Sequence, residues 1–509
     1  MQPGELLFGA ATDPGQVTDA LSARYRVRIE PGRAVTWTCL DTADWRLHEA
    51  GMTLRDARRG RQGSLLLSYG APQLITAPSS SHRWPRRVDT LPESAVRERI
   101  ASPVGVRALL PLAEVGVHSL RLRLLDAEEK IRVRVEVDQQ RLMGDRPAPL
   151  PLRVVVAPLR GYERDGARCA ELLADAISPL PDSSTAAAAA FLAAGHVPGQ
   201  PLVAPLQLDA RAPAAESLAG VLRRWLNVID AVRPGVLADV DIEYLHEMRT
   251  SIRATRSLLR LGAGLLPDES AARFAEEFAW LGRLTAPLRD LDVYLLELAG
   301  DGDTDLTGLE DLEPLRRLLA GQRRRALSAL RTGLESPRGV ALSEQWHVAL
   351  DYIGAPGMPG PTTRAAAAEL AQGAYRRIVK SARPVTDQTH PEELHRLRRR
   401  CKRMRYLLDG YASVYPREPH RKVLSALKSL QDCLGDIQDV DVQRRHLTEL
   451  AAVMGRRGAA PDTLLAMGAL RDRTLQRDLA ARDVMARRLA RFCGSKTRRR
   501  VADLGSADG

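Results

Sequence analysis

His246-Glu247-Met248-Arg249-Thr250-Ser251-Ile252-Arg253-Ala254-Thr255-Arg256 has a counterpart in His395-Arg396-Leu397-Arg398-Arg399-Arg400-Cys401-Lys402-Arg403-Met404-Arg405. Both read His-x-x-Arg-x-x-x-Arg/Lys-x-x-Arg, and each member of the second copy follows its counterpart by 149 residues. Asp290 and Asp292, in Arg-Asp-Leu-Asp-Val, keep the same offset to Asp439 and Asp441, in Gln-Asp-Val-Asp-Val. Two separate motifs sharing one offset mark a tandem repeat of a helical unit.

At about 100° per residue, positions i, i+3, i+7 and i+10 fall within roughly an 80° arc of one helix face and climb about 15 Å along it. That spacing normally carries a buried apolar stripe; here it carries a histidine and three cations. The interleaved positions supply a separate apolar set, Leu245, Met248, Ile252, Leu258 and Leu259 in copy one and Leu394, Leu397, Cys401, Met404, Leu407 and Leu408 in copy two. Each helix can therefore pack by one side and present charge on the adjoining one. Aligned cations repel one another, so the array costs stability until an anion neutralises it. A single basic helix reads as a solvated face. A solvated face has no need to keep one histidine and three cations in register across two copies, so the duplication favours a ligand.

These helices resemble the CHAD domain, the conserved histidine α-helical domain. Lys402-Arg403-Met404-Arg405-Tyr406, the two Asp-x-Asp-Val segments and Leu427-Lys428-Ser429-Leu430-Gln431 carry the resemblance, which spans Ala214 to Phe492. It implies a duplicated all-helical bundle whose basic helices line a central channel for inorganic polyphosphate, and association with polyphosphate granules. The phosphate contacts it implies are His246, Arg249, Arg253, Arg256, His395, Arg398, Lys402 and Arg405, with Lys428 and Arg289 behind them. The periodicity by itself gives an anion-complementary face and no more.

Composition agrees with a polyanionic partner. The 509 residues carry a formal net charge of +12, room for two domains or a little more. Aromatics make up 4%, too few for a protein that stacks single-stranded bases. Cys39, Cys169, Cys401, Cys433 and Cys493 show no metal or redox spacing, and the odd count suits a reducing compartment. No leader or apolar run of membrane-spanning length is read, so the expectation is a soluble cytoplasmic protein.

Residues 1–178 differ from the rest. Period-two alternation in Tyr25–Ile29, Leu120–Leu124, Ile131–Val137 and Leu152–Val156 predicts antiparallel strands with arginines on the polar face. Leu40-Asp41-Thr42-Ala43-Asp44-Trp45-Arg46-Leu47, Ala50-Gly51-Met52-Thr53-Leu54-Arg55 and Pro158-Leu159-Arg160-Gly161-Tyr162 are similar to CYTH domains. That resemblance implies a β-barrel tunnel for triphosphates, in which alternating carboxylates hold a divalent metal for triphosphate hydrolysis or ATP cyclisation. Here Arg24-Tyr25-Arg26-Val27-Arg28 stands where the first acidic strand is expected, and Leu152–Ala157 where the later one is. Glu136 and Asp138 alternate on one strand without a second acidic strand, a poor magnesium site. The domain therefore reads as a degenerate, non-catalytic CYTH-like barrel, with anion binding through Arg55, Arg121, Arg123, Arg132 and Arg134 left open.

The expected fold is α+β in two domains: the barrel over 1–178, a Pro/Ala-rich linker over 179–213 with a helical turn at its alanines, and a bundle over 214–495. Its repeats are 214–355 and 363–495, with their motif helices facing each other, and 496–509 reads as a disordered tail. The main function is non-catalytic polyphosphate binding, with no cofactor and no metal. The alternatives are a metal-dependent triphosphatase using the barrel and a generic nucleic-acid binder. A zinc site at His246 or His395 has only Glu243 or Glu392 nearby and cations around it, which oppose a metal. Asp290, Asp292, Asp439 and Asp441 fit a role at helix ends, or ion pairs with the repeat's own arginines, better than a two-carboxylate site. Neither a P-loop nor a nucleophile elbow is present.

Overall fold

The computed structural model describes residues 4–69, 73–79, 83–181, 185–301, 312–355, 360–386 and 388–506. The chain divides into two compact units between Ala204 and Pro205.

The first unit is built on strands β1 (Gly4–Phe8), β2 (Arg26–Asp41), β3 (Met52–Arg59), β4 (Gln62–Tyr69), β5 (Gln73–Ser79), β6 (Arg86–Arg87), β7 (Ala108–Leu125), β8 (Ile131–Leu142), β9 (Ala148–Pro149) and β10 (Leu152–Pro158). Helices α1 (Pro14–Ser22), α2 (Arg46–Glu49), α3 (Ala95–Val104), α4 (Glu163–Ala176) and α5 (Ala186–Ala193) accompany them. The strands form one antiparallel sheet in the order β1-β10-β8-β7-β2-β3-β4-β5, with β6 on β7 and β9 on β8. The first strand is Gly4–Phe8, ahead of the alternating stretch expected to open the sheet, which instead begins β2. Its Leu7 and Phe8 are buried, and one turn-like segment separates it from α1, so period-two reading over five residues had too little pattern to detect it.

Alternation sorts the sheet into two faces. Val133, Val135 and Val137 of β8 join Leu122, Leu124, Val154 and Val156 under residues of α1 and α4, while Leu40, Leu54, Leu65 and Leu67 pack under α3. The opposite face carries Glu5, Arg55, Arg121, Arg123, Glu136, Asp138 and Arg153, by register. The sheet is strongly curled about this face. Arg55 of β3 and Arg153 of β10 are four strand steps apart, about 19 Å in a flat sheet. Yet their guanidiniums lie 4.8 and 5.5 Å from the centroid of the same Trp37 ring.

Helix α5 closes part of the same face. Thr185 caps it, and Ala187, Ala190 and Phe191 are buried with Trp37, Cys39, Val115 and Leu142, Phe191 edge-on to Trp45 at 5.1 Å. The stretch 179–213 is therefore not an open linker. Its alanines, with Phe191, form the buried face of a short helix, which composition alone reads as low complexity.

The second unit contains α6 (Ala214–Ala238), α7 (Ile242–Leu261), α8 (Asp268–Leu296), α9 (Glu313–Glu335) and α10 (Pro337–Ile353), then α11 (Thr363–Ala382), α12 (Pro391–Gly410), α13 (Arg417–Arg456), α14 (Pro461–Cys493) and α15 (Ser495–Ala502). Starts of α6, α7 and α8 recur 149 residues later as α11, α12 and α13. Buried positions repeat as well: Leu218, Leu222, Leu226 and Ile229 of α6 match Ala367, Ala371, Tyr375 and Ile378 of α11. The repeat is thus a five-helix unit. The tail expected to be disordered from 496 onward is its last helix, α15, with Thr497, Val501 and Leu504 buried. Its arginines hid the pattern, since only two of its eight residues are buried.

Candidate phosphate-binding site

The motif helices α7 and α12 pack against each other, and each also packs on the long helix that follows it, α8 or α13. Asp241 starts α7 by accepting from the backbone N–H of Glu243 and Tyr244. Met248, Ile252 and Leu258, and their counterparts Leu397, Cys401 and Leu407, are buried. This leaves the basic stripe along the edge of the packed face, half in and half out of solvent.

In copy one, His246 is half-buried, and Arg249 donates Nη1–H to Thr285 Oγ1 at 3.2 Å and to the Gly282 carbonyl at 3.4 Å. Burial pushes the Arg249 pKa down to about 10, Asp290 partly opposing this and Arg253 and Arg289 adding to it. Arg253 reaches Thr250 Oγ1 at 3.3 Å, while its Nε is buried without a hydrogen-bond partner. Arg289 donates to the Ile242 carbonyl at 3.1 Å and lies 3.9 Å from Glu243, which ties it to the start of α7. In copy two, Arg398 donates to Gln438 Oε1 at 2.9 Å, and His395 also bonds Gln438. Burial lowers the His395 pKa below its ordinary value, and Arg399, Arg398 and Lys402 add to that against the Gln438 bond. Lys402 is half-buried beside them. Arg405 is exposed and turned along the helix to Asp409, 3.4 Å away. Lys428 is exposed on α13, seven residues before Gly435, and so on the same face two turns away.

Between the copies the cations meet. Burial lowers the Arg403 pKa, and Arg260, Arg399, Arg400 and Arg377 depress it further. Arg256 is lowered in the same way by burial, Arg260 and Arg283. Arg260 of copy one thus has like charges from both copies beside it, Arg256 of α7 and Arg403 of α12. This is an anion-complementary surface, because each cation raises the cost of charging its neighbour until a bound anion intervenes.

Several parts of this surface are absent from the motif. Gln438 stands where copy one has Arg289, and it braces both His395 and Arg398. Arg283 and Arg377 enter from helices outside the motif. Gly282 and Gly435 leave room for guanidiniums: a Cβ on Gly435 would meet Arg398 Nη2 at 3.0 Å, and one on Gly282 would meet Arg256 Nη1 at 3.2 Å. A glycine inside a helical pattern, which costs about 1 kcal/mol relative to alanine, was the readable signal. Asp292 is buried and ion-paired to Arg323 at 2.7 Å, and Arg323 also holds Asp239 at the end of α6. That carboxylate fixes the helix packing. The side chains of Asp439 and Asp441 lie outside the described residues.

On the sheet, Arg153 stands between two carboxylates, 2.7 Å from Asp138 Oδ2 and 2.9 Å from Glu5 Oε2. Burial would raise the Glu5 pKa, but Arg153 and Arg55 outweigh it and hold it low. Arg123 forks onto Glu30, Arg121 lies 3.6 Å from Glu136, and Arg132 is shared between Asp126 and Asp165. Arg134 is exposed. Among the described residues no group of three or more His, Cys, Asp or Glu side chains is arranged to hold a metal ion. None of the described helices is long and apolar enough to cross a membrane. All five cysteines are unpaired.

The duplicated helical unit thus brings cations of both copies onto one face. Residues 220–448 match the sequence model of the CHAD domain, so the helical unit contains a CHAD domain. An uncharacterized protein of Mycobacterium tuberculosis is 28% identical over 232 residues, 42% of this chain and 42% of its own length, so the match spans less than half of that relative. The crystal structure of the CHAD domain from the plant Ricinus communis is 26% identical, covering 56% of this chain and 95% of that one with a TM-score of 0.49. An adenylyl cyclase candidate from Hippeastrum with a dominant triphosphatase activity is 15% identical, covering 39% of this chain and 97% of that one with a TM-score of 0.25.

Proposed function

We propose that the helical unit binds inorganic polyphosphate along the face formed by α7 and α12 and does not cleave it. The observation that carries this reading is Arg260 of copy one beside Arg403 of copy two: Arg260 lowers the pKa of Arg403 together with Arg399 and Arg400, and lowers that of Arg256 as well. A linear polyanion suits that array better than a single phosphate, because the charges extend along two helices. Guanidiniums bind phosphate oxygens in bidentate fashion, and released counterions add a salt-dependent driving force. His246, Arg249, Arg253, Arg256, His395, Arg398, Lys402 and Arg405 are the proposed contacts, with Arg289 and Lys428 at their margin. Association with polyphosphate granules would follow from such binding.

The proposal extends to a sheet that takes no part in hydrolysis. Arg153 between Glu5 and Asp138 supports this, since a guanidinium already takes the place a metal cation would hold between those carboxylates. Titration calorimetry with long-chain polyphosphate tests the site, using the Arg249→Ala, Arg253→Ala, Arg398→Ala, Lys402→Ala quadruple variant; unchanged affinity would refute it. Phosphate release from inorganic triphosphate with magnesium or manganese would overturn the non-catalytic reading. RNA displacing polyphosphate at equal phosphate concentration would reduce the site to a generic cationic surface.

A further inference from the structure

The two copies differ in their fifth helix: α10 has 17 residues and α15 has 8. In copy one, α10 runs antiparallel along α6 and closes its outer side. Arg223 pairs with Asp351, and Asp230 accepts from Ser343 at 2.8 Å and bonds His347 at 3.0 Å. In copy two, the shorter α15 lies against the second half of α11, Arg498 beside Tyr375, and the chain after α15 reaches the start of α11, where Arg364 donates to the Ser506 carbonyl. An open cleft of about 610 Å³ lies between α11 and α15.

Its lining is chemically specific. Arg376 and Lys380 of α11 and Arg383 at its C-cap are spaced i, i+4 and i+7, along one face of the helix. Copy one has Asn227, Ala231 and Pro234 at the corresponding places, so these charges are not inherited from the repeat. Arg498 of α15 supplies a fourth cation, next to the Tyr375 hydroxyl. The remaining wall is apolar, chiefly Val379 and Val501. Among the described residues no carboxylate lines the cleft, and none of the four cations is in an ion pair. All four are exposed, so none is needed for packing.

We propose that this cleft is a second anion-binding site, separate from the α7–α12 face, for a small phosphate ester with a compact apolar body, of the nucleotide class. Its volume falls in the range of small-molecule sites, which combine an apolar wall with a few placed charges. Four cations demand a multiply charged ligand, and the aliphatic wall gives no return to an inorganic one.

Fluorescence titration of the full chain with methylanthraniloyl-ATP tests this. Saturable binding is expected. Arg383→Ala with Arg498→Ala should weaken it by at least ~10-fold, since both remove charged hydrogen bonds to the phosphates. Arg249→Ala with Arg398→Ala should leave it unchanged. Circular dichroism of the variants checks that the helices are intact. Absence of saturable binding, or equal loss in both double variants, overturns the site. Displacement of the probe by inorganic triphosphate as readily as by ATP overturns the ligand class.

Discussion

On the inner face of the sheet, Arg153 is gripped by Glu5 and Asp138 and Arg123 forks onto Glu30. On the helical unit, Arg260 has a like charge from each copy beside it, Arg256 and Arg403. The residue type is the same and the charge bookkeeping is opposite. An arginine that its own fold has neutralised contributes to stability and has little left for a ligand. An arginine surrounded by like charges is a standing cost that binding can relieve. Counting arginines per domain therefore says little; the carboxylates beside them decide.

The largest expected effect breaks the comparison from the helical side. Replacing Arg249, Arg253, Arg398 and Lys402 together by alanine should weaken long-chain polyphosphate by at least ~100-fold, given about 1.5–3 kcal/mol for each hydrogen bond to a charged group. The same variant should melt no lower than the parent, because it removes repulsion as well as packing. Calorimetry and thermal melts on one preparation read both; a large drop in melting temperature with unchanged affinity would reverse the assignment.

Next comes the sheet. Arg153→Ala leaves the buried Asp138 carboxylate without its cation and should cost about 3 kcal/mol of stability in urea unfolding. Polyphosphate affinity should not change. Adding Glu5→Gln and Asp138→Asn should restore much of the loss, since the stranded charges are then gone. Failure of that rescue would mean Arg153 acts through its packing on Trp37 instead.

Much of this difference was legible in the residues, and its limits are physical. The duplicated spacing located α7 and α12 because a helix maps sequence distance onto direction, and both helices kept their apolar stripe. Arg283, Arg377 and Gln438 were not legible, since they enter from other helices by tertiary packing. On the sheet, alternation found β7, β8 and β10 but passed over Gly4–Phe8, and with it Glu5. Without that strand, Asp138 looked isolated and Arg153 looked like one more polar-face arginine. The C-terminal helix was missed for a related reason: its stability comes from two buried side chains and its neighbours, and its composition resembles a tail.

Smaller effects separate the two copies. Arg399, Arg400 and Arg403 extend the positive field of copy two, whereas Arg249 and Arg253 are braced against α8 and the preceding turn. Neutralising the first three should slow association several-fold and flatten its dependence on salt. Arg249→Ala and Arg253→Ala should mainly speed dissociation. Stopped-flow mixing at two ionic strengths distinguishes these. Equal changes in one rate constant would make the copies equivalent.

The smallest expected effect is in pH, and its sign follows from His395. Burial and then Arg399, Arg398 and Lys402 hold its pKa below 6.5 in the free protein, opposed only in part by Gln438. As the pH falls below 6.5, the unfolded chain takes up this proton before the folded one, so the free protein loses stability in that window. A phosphate beside the ring reverses the balance, because it offsets the three cations and favours the imidazolium. Binding should therefore take up protons, and affinity should rise as the pH falls from 7.5 toward 6. One unit of pKa change corresponds to about 1.4 kcal/mol, so the gain is at most ~10-fold. Calorimetry in two buffers of different ionisation enthalpy measures the proton uptake directly. His395→Gln should lower that uptake and flatten the pH profile while keeping most of the affinity. If uptake is unchanged in this variant, His395 does not face the phosphate, and the stripe of copy two begins at Arg398.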